Sequence, residues 1–266
     1  MELKICHLYP DVLNLYGDGG NILCMKKRLE WRGIKADITN LKIGENSSLA
    51  DFDLFFMGGG QDFEQEVLLA DLHRGKDKSI ISAIEDGKTF LTVCGGYQML
   101  GYYYENQAGV RCEFLGAIDF YTKSKPGRLI GNYSFRCYPI SGGSTVLGFE
   151  NHSGRSFLGP DASPLGKVIN GFGNNGEDKT EGVRYKNVFG TYSHGPVLPK
   201  NPELCDFILK TALEQKYGKC QLLPLDDDAE HRAHAAVARK MMYTQTTPTV
   251  TLPIRWRSTG KEEKWQ

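Results

Sequence analysis

Two apolar runs in this sequence end abruptly in glycines, and that pattern leaves few folds open. "LFFMGGG" takes Leu54–Met57 into Gly58–Gly60, and "FLTVCGG" takes Phe90–Cys94 into Gly95 and Gly96. Helical patterns such as "DKSIISAIEDGK" separate strand-like runs, which predicts an α/β fold with a mostly parallel central sheet and helices on both faces. Because the carboxyl ends of parallel strands meet at one edge of a sheet, we expect the two glycine-rich breaks to lie side by side.

The rest of the sequence extends this layout to the whole chain. Between about Leu115 and Tyr192, short alternating stretches separated by Gly, Ser, Asn and Pro predict a mixed β extension in the second half. Further strands are predicted over Leu3–Leu8 and residues 34–43, and further helices over residues 21–32, 95–104, 201–218 and 226–242. We therefore expect one domain over residues 1–218, a C-terminal helix packed on it over 219–243, and an extended or disordered tail over 244–266.

Composition narrows the class of protein. Lys plus Arg and Asp plus Glu both number 32, so the formal net charge is zero and no basic field favours nucleic acid. No apolar stretch reaches the length of a transmembrane helix, and the opening "LKICHLYP" lacks the segments of a signal peptide. The seven cysteines are scattered without a C-x-x-C pair, which argues against a disulfide framework and a zinc site. We expect a cytoplasmic protein without a metal or other cofactor.

The glycine-rich stretch "LYGDGGN" invites comparison with phosphate-binding loops. It lacks both G-x-x-x-x-G-K-[ST] and G-x-G-x-x-G, so its residues do not supply the pattern that cradles a phosphate. We interpret it as a turn and helix start, with Asp18 as the capping residue.

Cys94 is the first candidate for chemistry. A sharp turn from strand to helix exposes a side chain, and the amino end of the helix stabilises a thiolate. The hydrolase elbow has the pattern G-x-nucleophile-x-G; here Gly96 occupies the second glycine position and Thr92 replaces the first. The alternative is that Cys94 is a small buried residue at a strand end.

A catalytic thiol also requires a base and an oxyanion hole. His194 ends the strand-like run "VFGTYSHGP" and is the best partner, and His152 in "FENHSGR" is second. Backbone N–H groups from Gly58–Gly60 and from Gly95 are suited to hold an oxyanion. Nucleophile, base and glycines all sit at predicted strand ends.

Five stretches together resemble a known family. "YPDVLNLYGDGGN", "MGGGQDFEQ", "CGGYQMLG", "GFENHSGR" and "GTYSHGP" are similar to the class I glutamine amidotransferases, in the branch that includes cobyric acid synthase. Within that branch the chain resembles the glutaminase subunits of the lipid II isoglutaminyl synthases of Gram-positive bacteria. The resemblance covers about residues 9 to 196 and implies a flavodoxin-like amidotransferase fold.

The resemblance implies a mechanism and its residues. Cys94 attacks the side-chain amide of L-glutamine, and the N–H groups of Gly59 and Gly95 hold the tetrahedral oxyanion. His194 accepts the thiol proton and passes it to the leaving ammonia, and water then releases glutamate from the thioester.

Two further residues are predicted to bind substrate. Gln98 lies one helical turn after Cys94 and is expected to contact glutamine, unless it only caps the elbow. Arg128 in "KPGRLIGNY" is suited to the α-carboxylate of glutamine, because a guanidinium can hold a carboxylate bidentately. The alternative for Arg128 is an ordinary loop arginine.

The resemblance also implies a partner. Ammonia passes to a Mur-ligase-like, ATP-dependent subunit, MurT, which amidates the D-glutamate of lipid II to D-isoglutamine; the two subunits form a heterodimer. Many class I enzymes carry H-x-E, but here His194 is followed by Gly195 and Pro196, so the orienting acid is absent locally. Either the histidine works in a dyad or the acid comes from elsewhere, and the resemblance suggests the partner subunit.

Two other functions stay open on the sequence alone. The same chemistry can serve another acceptor, such as cobyrinic acid. An amidotransferase-like domain can also be a non-catalytic binding subunit, although the presence of both Cys94 and His194 argues against that.

Overall fold

The computed structural model describes residues 1–60, 62–140 and 142–243. Its helices are α1 (Gly20–Glu30), α2 (Asp62–Asp71), α3 (Asp77–Glu85), α4 (Gly95–Gln98), α5 (Pro202–Tyr217) and α6 (Asp228–Tyr243). Its strands are β1 (Glu2–Leu8), β2 (Lys35–Leu41), β3 (Leu54–Met57), β4 (Thr89–Val93), β5 (Tyr103–Glu105), β6 (Arg111–Glu113), β7 (Phe120–Cys137), β8 (Thr145–Leu158), β9 (Gly166–Asn170), β10 (Thr180–Glu181), β11 (Val183–Tyr185) and β12 (Val188–Thr191).

The first sheet, which we call the parallel sheet, has the strand order β11-β12-β4-β3-β1-β2. Neighbouring strands of this sheet pair in parallel, except that the edge strand β11 pairs with β12 antiparallel. Every residue of the central strands β3, β4 and β12 is buried. These strands are continuously apolar or nearly so because both faces of a parallel sheet are covered. The predicted α/β fold with its parallel core is confirmed.

The second sheet, which we call the recognition sheet, has the order β10-β9-β7-β5-β6, with β8 paired to β7. Strands β7 and β8 form a long antiparallel ribbon from Phe120 paired with Leu158 to Arg136 paired with Thr145, interrupted by an irregularity after Ser124. The predicted mixed β extension in the second half is this sheet. One backbone bond, from His194 N to Phe149 O at 2.8 Å, joins it to the end of β12 in the parallel sheet.

The helix predicted over residues 95–104 is wrong beyond its first turn. Helix α4 ends at Gln98, and Tyr103–Glu105 instead form β5, which pairs with β6 and β7. Gly101 lies so close to Phe120 that a Cβ there would come within 2.7 Å of the Phe120 carbonyl oxygen. The chain therefore turns into the recognition sheet, where the tyrosines that follow suit a strand better than a helix.

Helix α2 was not predicted, because no apolar stripe was assigned to the stretch after Gly60. The two C-terminal helices were predicted and form as expected. Beneath them Arg28 of α1 is almost fully buried and holds Asp206 and Asp227, the latter just before α6, at 2.7 and 2.6 Å.

The predicted tail over 244–266 lies outside the described residues. Among the helices described, none has the length and apolar character needed to cross a bilayer.

Candidate active site

Cys94 occupies a strained backbone position between β4 and α4. Its φ of 46° and ψ of −105° lie outside the regions that a non-glycine residue ordinarily adopts. The surroundings fix this strain, since Cys94 N donates to Thr191 O at 2.9 Å and Gln98 N donates to Cys94 O at 2.8 Å. Cys94 is 5% exposed and lines a cavity of about 470 Å³. Strain of this kind at a cavity wall is typical of a working nucleophile rather than a packed cysteine.

The elbow also accommodates Thr92 in place of its first glycine. Thr92 pairs in register with Gly190 of β12. A Cβ at Gly190 would lie 2.6 Å from the Tyr97 ring and 3.2 Å from Thr92 Oγ1. The neighbouring strand therefore supplies the missing space. On the other side, a Cβ at Gly96 would come within 2.7 Å of Gly58 O. The second elbow glycine is therefore required because the loop that begins at Gly58 lies against it, as the sequence predicts.

His194 lies beyond the end of β12 with its imidazole fully buried beside Cys94. Its Nδ1 is 3.2 Å from Asp18 Oδ2. Because an ionised carboxylate only accepts hydrogen bonds, Nδ1 carries the proton and Nε2 is the nitrogen left for the thiol. Nε2 makes no conventional hydrogen bond within the described residues. Below the ring, Lys200 Nζ donates to the carbonyl oxygens of His194 and Gly195 at 3.1 and 2.8 Å and fixes the turn.

Electrostatics favour a charged imidazolium at this position. Burial by itself lowers the pKa of His194, but the adjacent Cys94 sulfur and the Asp18 carboxylate outweigh it and raise the pKa to about 10. A protonated imidazolium is thus favoured at His194, next to the Cys94 sulfur. The pair has the charge distribution that a nucleophilic thiol requires.

Asp18 is the site residue that sequence reasoning missed. It was interpreted as a helix cap, yet its side chain makes no cap to α1. The carboxylate is fully buried and faces His194 instead. The loop that carries Asp18 packs against the segment that follows His194. Gly20 lies so close to Pro196 that a Cβ would come within 2.6 Å of its ring, and Asn21 Oδ1 accepts from Leu198 N at 2.9 Å. A carboxylate of this same chain, 176 residues earlier, therefore bonds the far nitrogen of His194.

Gly59 lies against this pair. Its N–H donates to Asp18 Oδ2 at 2.8 Å, instead of facing the cavity as the predicted oxyanion hole requires. A Cβ at Gly59 would come within 2.3 Å of His194 Cε1, so glycine is required for the imidazole to fit. Gly60, the next residue, lines the cavity. Gly95 follows Cys94 as the first residue of α4, where an N–H has no intrahelical acceptor.

The remaining predicted residues lie on the cavity wall. Gln98 and Arg128 both line it, together with Tyr16, Asn151 and His152. Gln98 is buried, and its Nε2 donates to Tyr192 OH at 3.0 Å, which holds the side chain in place on the wall. Arg128 is exposed at the rim. The structure thus brings Cys94, Gln98 and Arg128 around one cavity, and His194 lies buried behind the wall, next to Cys94.

His152, the second candidate base, is buried on the floor of the cavity. Its ring stacks on Tyr192 at 3.6 Å and 7°, and its Nδ1 bonds Gly154 O at 2.7 Å. Burial lowers the pKa of His152 to about 3, so it is neutral at physiological pH. Beside it Glu150 is fully buried, with its pKa raised by burial to about 7. His152 therefore belongs to the wall of the cavity, and His194 is the histidine that lies next to Cys94.

The four other histidines lie away from Cys94. They are His7, buried in β1; His73, paired with Asp77; His231, paired with Glu203; and His234, whose Nδ1 donates to Lys200 O at 2.9 Å. Within the described ranges, no group of three or more His, Cys, Asp or Glu side chains is arranged to hold a metal ion.

Comparison with known proteins gives consistent results. The model of the CobB/CobQ-like glutamine amidotransferase domain matches residues 4–202. The GatD subunit of the glutamine-hydrolysing lipid II isoglutaminyl synthase of Staphylococcus aureus (strain N315) is 44% identical over 232 residues, which are 87% of this chain and 93% of that protein. The corresponding subunit of Streptococcus pneumoniae (strain ATCC BAA-255 / R6) is 42% identical over 228 residues, 85% of this chain and 86% of that protein.

A solved structure supports the fold. A glutamine amidotransferase of Thermotoga maritima, 15% identical, superposes with a TM-score of 0.51 over 91% of this chain and 92% of its own. The resemblance read from the sequence motifs is confirmed by the two GatD relatives and the domain match. This chain belongs to the CobB/CobQ-like glutamine amidotransferase family.

Proposed function

We propose that this chain is the glutaminase subunit of a lipid II isoglutaminyl synthase. It hydrolyses L-glutamine to L-glutamate and delivers the ammonia to a separate synthetase subunit. The observation that carries the proposal is the arrangement at the cavity: Cys94 in a strained elbow, His194 beside it, and a buried Asp18 bonded to the far nitrogen of that histidine. The similarity to two GatD subunits over most of both chains supports the substrate and the acceptor.

The reaction begins with the thiolate. Cys94 Sγ attacks the side-chain amide carbon of glutamine while His194 holds the thiol proton on Nε2. The oxyanion that forms lies near the amino end of α4, where the Gly95 N–H is one donor. Because the Gly59 N–H is bonded to Asp18, we assign the second donor to Gly60, which lines the cavity.

Collapse of this intermediate breaks the carbon–nitrogen bond. His194 gives its proton to the leaving nitrogen, ammonia departs, and a thioester to Cys94 remains. His194 then takes a proton from water, which attacks the thioester and releases glutamate. Asp18 keeps the proton on Nδ1 throughout and stabilises the imidazolium, which is the role of the acid in a catalytic triad.

Arg128 and Gln98 are assigned to the substrate. Arg128 forms no ion pair with a carboxylate of the described residues, and its guanidinium at the cavity rim is suited to the α-carboxylate of glutamine. Gln98 lines the same wall, its backbone N–H bonds Cys94 O at 2.8 Å, and it is assigned to the side-chain end of the substrate.

The ammonia requires an acceptor enzyme. We assign it to a Mur-ligase-like, ATP-dependent subunit, MurT, which forms a heterodimer with this chain and amidates the D-glutamate of lipid II. All seven cysteines are free, which suits the reducing cytoplasm where ATP is available. We also propose the predicted organisation, with a catalytic domain over 1–218 and an added helix over 219–243.

One experiment tests the chemistry directly. The purified chain, alone and with its co-expressed partner, is treated with a diazo-ketone analogue of glutamine, and the adduct is mapped by mass spectrometry. We expect one adduct on Cys94, slowed by excess L-glutamine and absent in Cys94→Ala. Labelling of another residue, or no protection by glutamine, would overturn the glutaminase assignment; Cys220→Ala is the matched control that should label normally.

The acceptor is tested separately. Affinity purification of the tagged chain from its own cells is expected to recover a Mur-ligase-like protein, and the complex is expected to amidate a lipid II substrate with ATP and glutamine. Recovery of a cobyrinic acid synthetase instead would favour the other acceptor.

A further inference from the structure

A chain of polar contacts crosses the rim of the cavity and includes two residues without an assigned role. Arg128 Nε donates to Asn151 Oδ1 at 2.6 Å, and Arg128 Nη2 donates to Asn151 O at 2.9 Å. The side-chain amide of Asn151 donates in turn to the Tyr16 hydroxyl. We call Tyr16, Asn151 and Arg128 the rim strap. All three line the same cavity as Cys94.

The contacts of Arg128 determine which of its edges remains available. A guanidinium offers five N–H groups, in two edges that can each hold a carboxylate bidentately. Both bonds to Asn151 come from the Nε/Nη2 edge. The Nη1/Nη2 edge is therefore left for a ligand. A flexible, exposed arginine gains a fixed orientation from this one residue, through its side chain and its backbone.

The other end of the rim strap reaches the catalytic base. The Tyr16 ring meets the His194 ring edge-on, with centroids 5.1 Å apart, and meets Phe149 at 5.6 Å. Tyr16 holds a left-handed backbone conformation, with φ of 58° and ψ of 22°, which costs energy in a tyrosine. These contacts fix Tyr16 over His194 and direct its hydroxyl to Asn151.

We propose that Asn151 is a positioning residue that orients Arg128 toward the α-carboxylate of glutamine, with Tyr16 fixing Asn151. This inference rests on the proposed glutaminase function. Asn151 pairs with Ile130 across the β7–β8 ribbon, two residues from Arg128, so the sheet register sets the separation of the two side chains. The rim strap thereby selects for a substrate with a carboxylate at a fixed distance from the amide that Cys94 attacks.

The test compares two substrates in the complex with the synthetase partner. L-Glutamine carries the α-carboxylate, and 4-aminobutanamide is the same molecule without it. Asn151→Ala is expected to raise KM for glutamine about tenfold and to change kcat less than about twofold, as expected for loss of binding that is equal in ground and transition states. For 4-aminobutanamide the variant and the unmodified chain are expected to give equal kcat/KM, or equal inhibition constants where turnover is too slow.

Two more variants separate orientation from folding. Asn151→Asp keeps an acceptor for Arg128 but adds a negative charge near the substrate carboxylate, and it is expected to raise KM at least as much as Asn151→Ala. Tyr16→Phe keeps the ring over His194 and removes the hydroxyl, and a two- to threefold rise in KM is expected. Asn132→Ala, an exposed asparagine on β7, is the control that should change neither constant.

The outcomes distinguish the two proposals. If the unmodified complex hydrolyses glutamine but Asn151→Ala has an unchanged KM, the positioning role is overturned and the function stands. Equal losses on both substrates would also overturn it, because the effect would not act through the carboxylate. If the unmodified complex does not hydrolyse glutamine, the proposed function and this inference fall together.

Discussion

The parallel sheet and the recognition sheet contribute different kinds of residue to one cavity. The parallel sheet supplies the reactive groups, which follow closely after its strands and are buried: Cys94, in a strained turn, is 5% exposed, and His194 is fully buried. The recognition sheet supplies Arg128 and Asn151 from the long β7–β8 ribbon, and these are more exposed and held by hydrogen bonds rather than by strain. The reactive groups are thus shielded from water, whereas the residues assigned to the substrate lie on a surface that water reaches.

This difference predicts that variants on the two sheets change different kinetic constants. Variants around His194 should lower kcat, since they change charge and geometry in the transition state. Variants along the β7–β8 ribbon should raise KM.

Asp18→Asn should lower kcat about 10²- to 10⁴-fold, because a neutral amide neither stabilises the imidazolium nor fixes the proton on Nδ1 of His194. Since Asp18 helps to raise the pKa of His194 to about 10, the alkaline limb of the pH–rate profile should also move to lower pH. Steady-state glutaminase assays across pH measure both. Asp11→Asn, at an exposed carboxylate, is the control. An unchanged kcat in Asp18→Asn would contradict this role and would indicate that the partner subunit supplies the acid that orients His194.

Arg128→Ala should raise KM for glutamine roughly 10- to 150-fold, the equivalent of about 1.5–3 kcal/mol for a charge-assisted hydrogen bond. The change in kcat should be small, because the α-carboxylate is not altered during the reaction. Glutaminase kinetics with saturating and limiting glutamine separate the two constants. A loss confined to kcat would contradict the assignment of Arg128 to the substrate.

Gly59→Ala should lower kcat about tenfold, because its Cβ would meet His194 Cε1 at 2.3 Å and displace the imidazole from its aligned position. Gly109→Ala, in the β5–β6 turn with open space around it and a φ of 80°, affects backbone strain alone and should leave kcat unchanged. Activity and thermal unfolding of both variants are compared. Normal kcat in Gly59→Ala would show that the His194 position tolerates a shift.

Glu181→Gln should reduce the pH dependence of stability. Burial raises the pKa of Glu181 to about 7, so between about pH 4.5 and 7 the folded chain keeps a proton that the unfolded chain releases. Stability therefore falls as pH rises through this window, and removing the titrating group should flatten that slope. Thermal unfolding at pH 5 and pH 8 gives the measurement, with exposed Glu113→Gln as control. An unchanged slope would assign the titration to Glu150, whose pKa is also about 7.

The sequence predicted the reactive half of the site better than the recognition half. Cys94 and His194 follow apolar strands, and the topology of a parallel sheet brings such strand ends together. Asp18 was missed because a carboxylate in a glycine-rich loop is also typical of a helix cap, and nothing local indicates a contact 176 residues away. Asn151 was missed because its role depends on the register of β7 with β8, which short alternating patterns do not define.

The secondary structure shows the same limit. Strands β3 and β4 were predicted within one residue, since their apolar runs are bounded by turns. The stretch after Gln98 was predicted as a helix because its spacing allows one; it becomes β5 because Tyr102 N donates to Phe120 O at 2.8 Å and the residues that follow pair with β6 and β7. Tertiary contact decided the structure where the local pattern was ambiguous.

The backbone bond from His194 N to Phe149 O, where the two sheets meet, has an evolutionary consequence. Since it uses main-chain atoms alone, the bond that anchors the histidine does not depend on which side chain stands at position 149. Variation of the exposed residues of the β7–β8 ribbon can therefore alter substrate contact while this main-chain anchor stays in place.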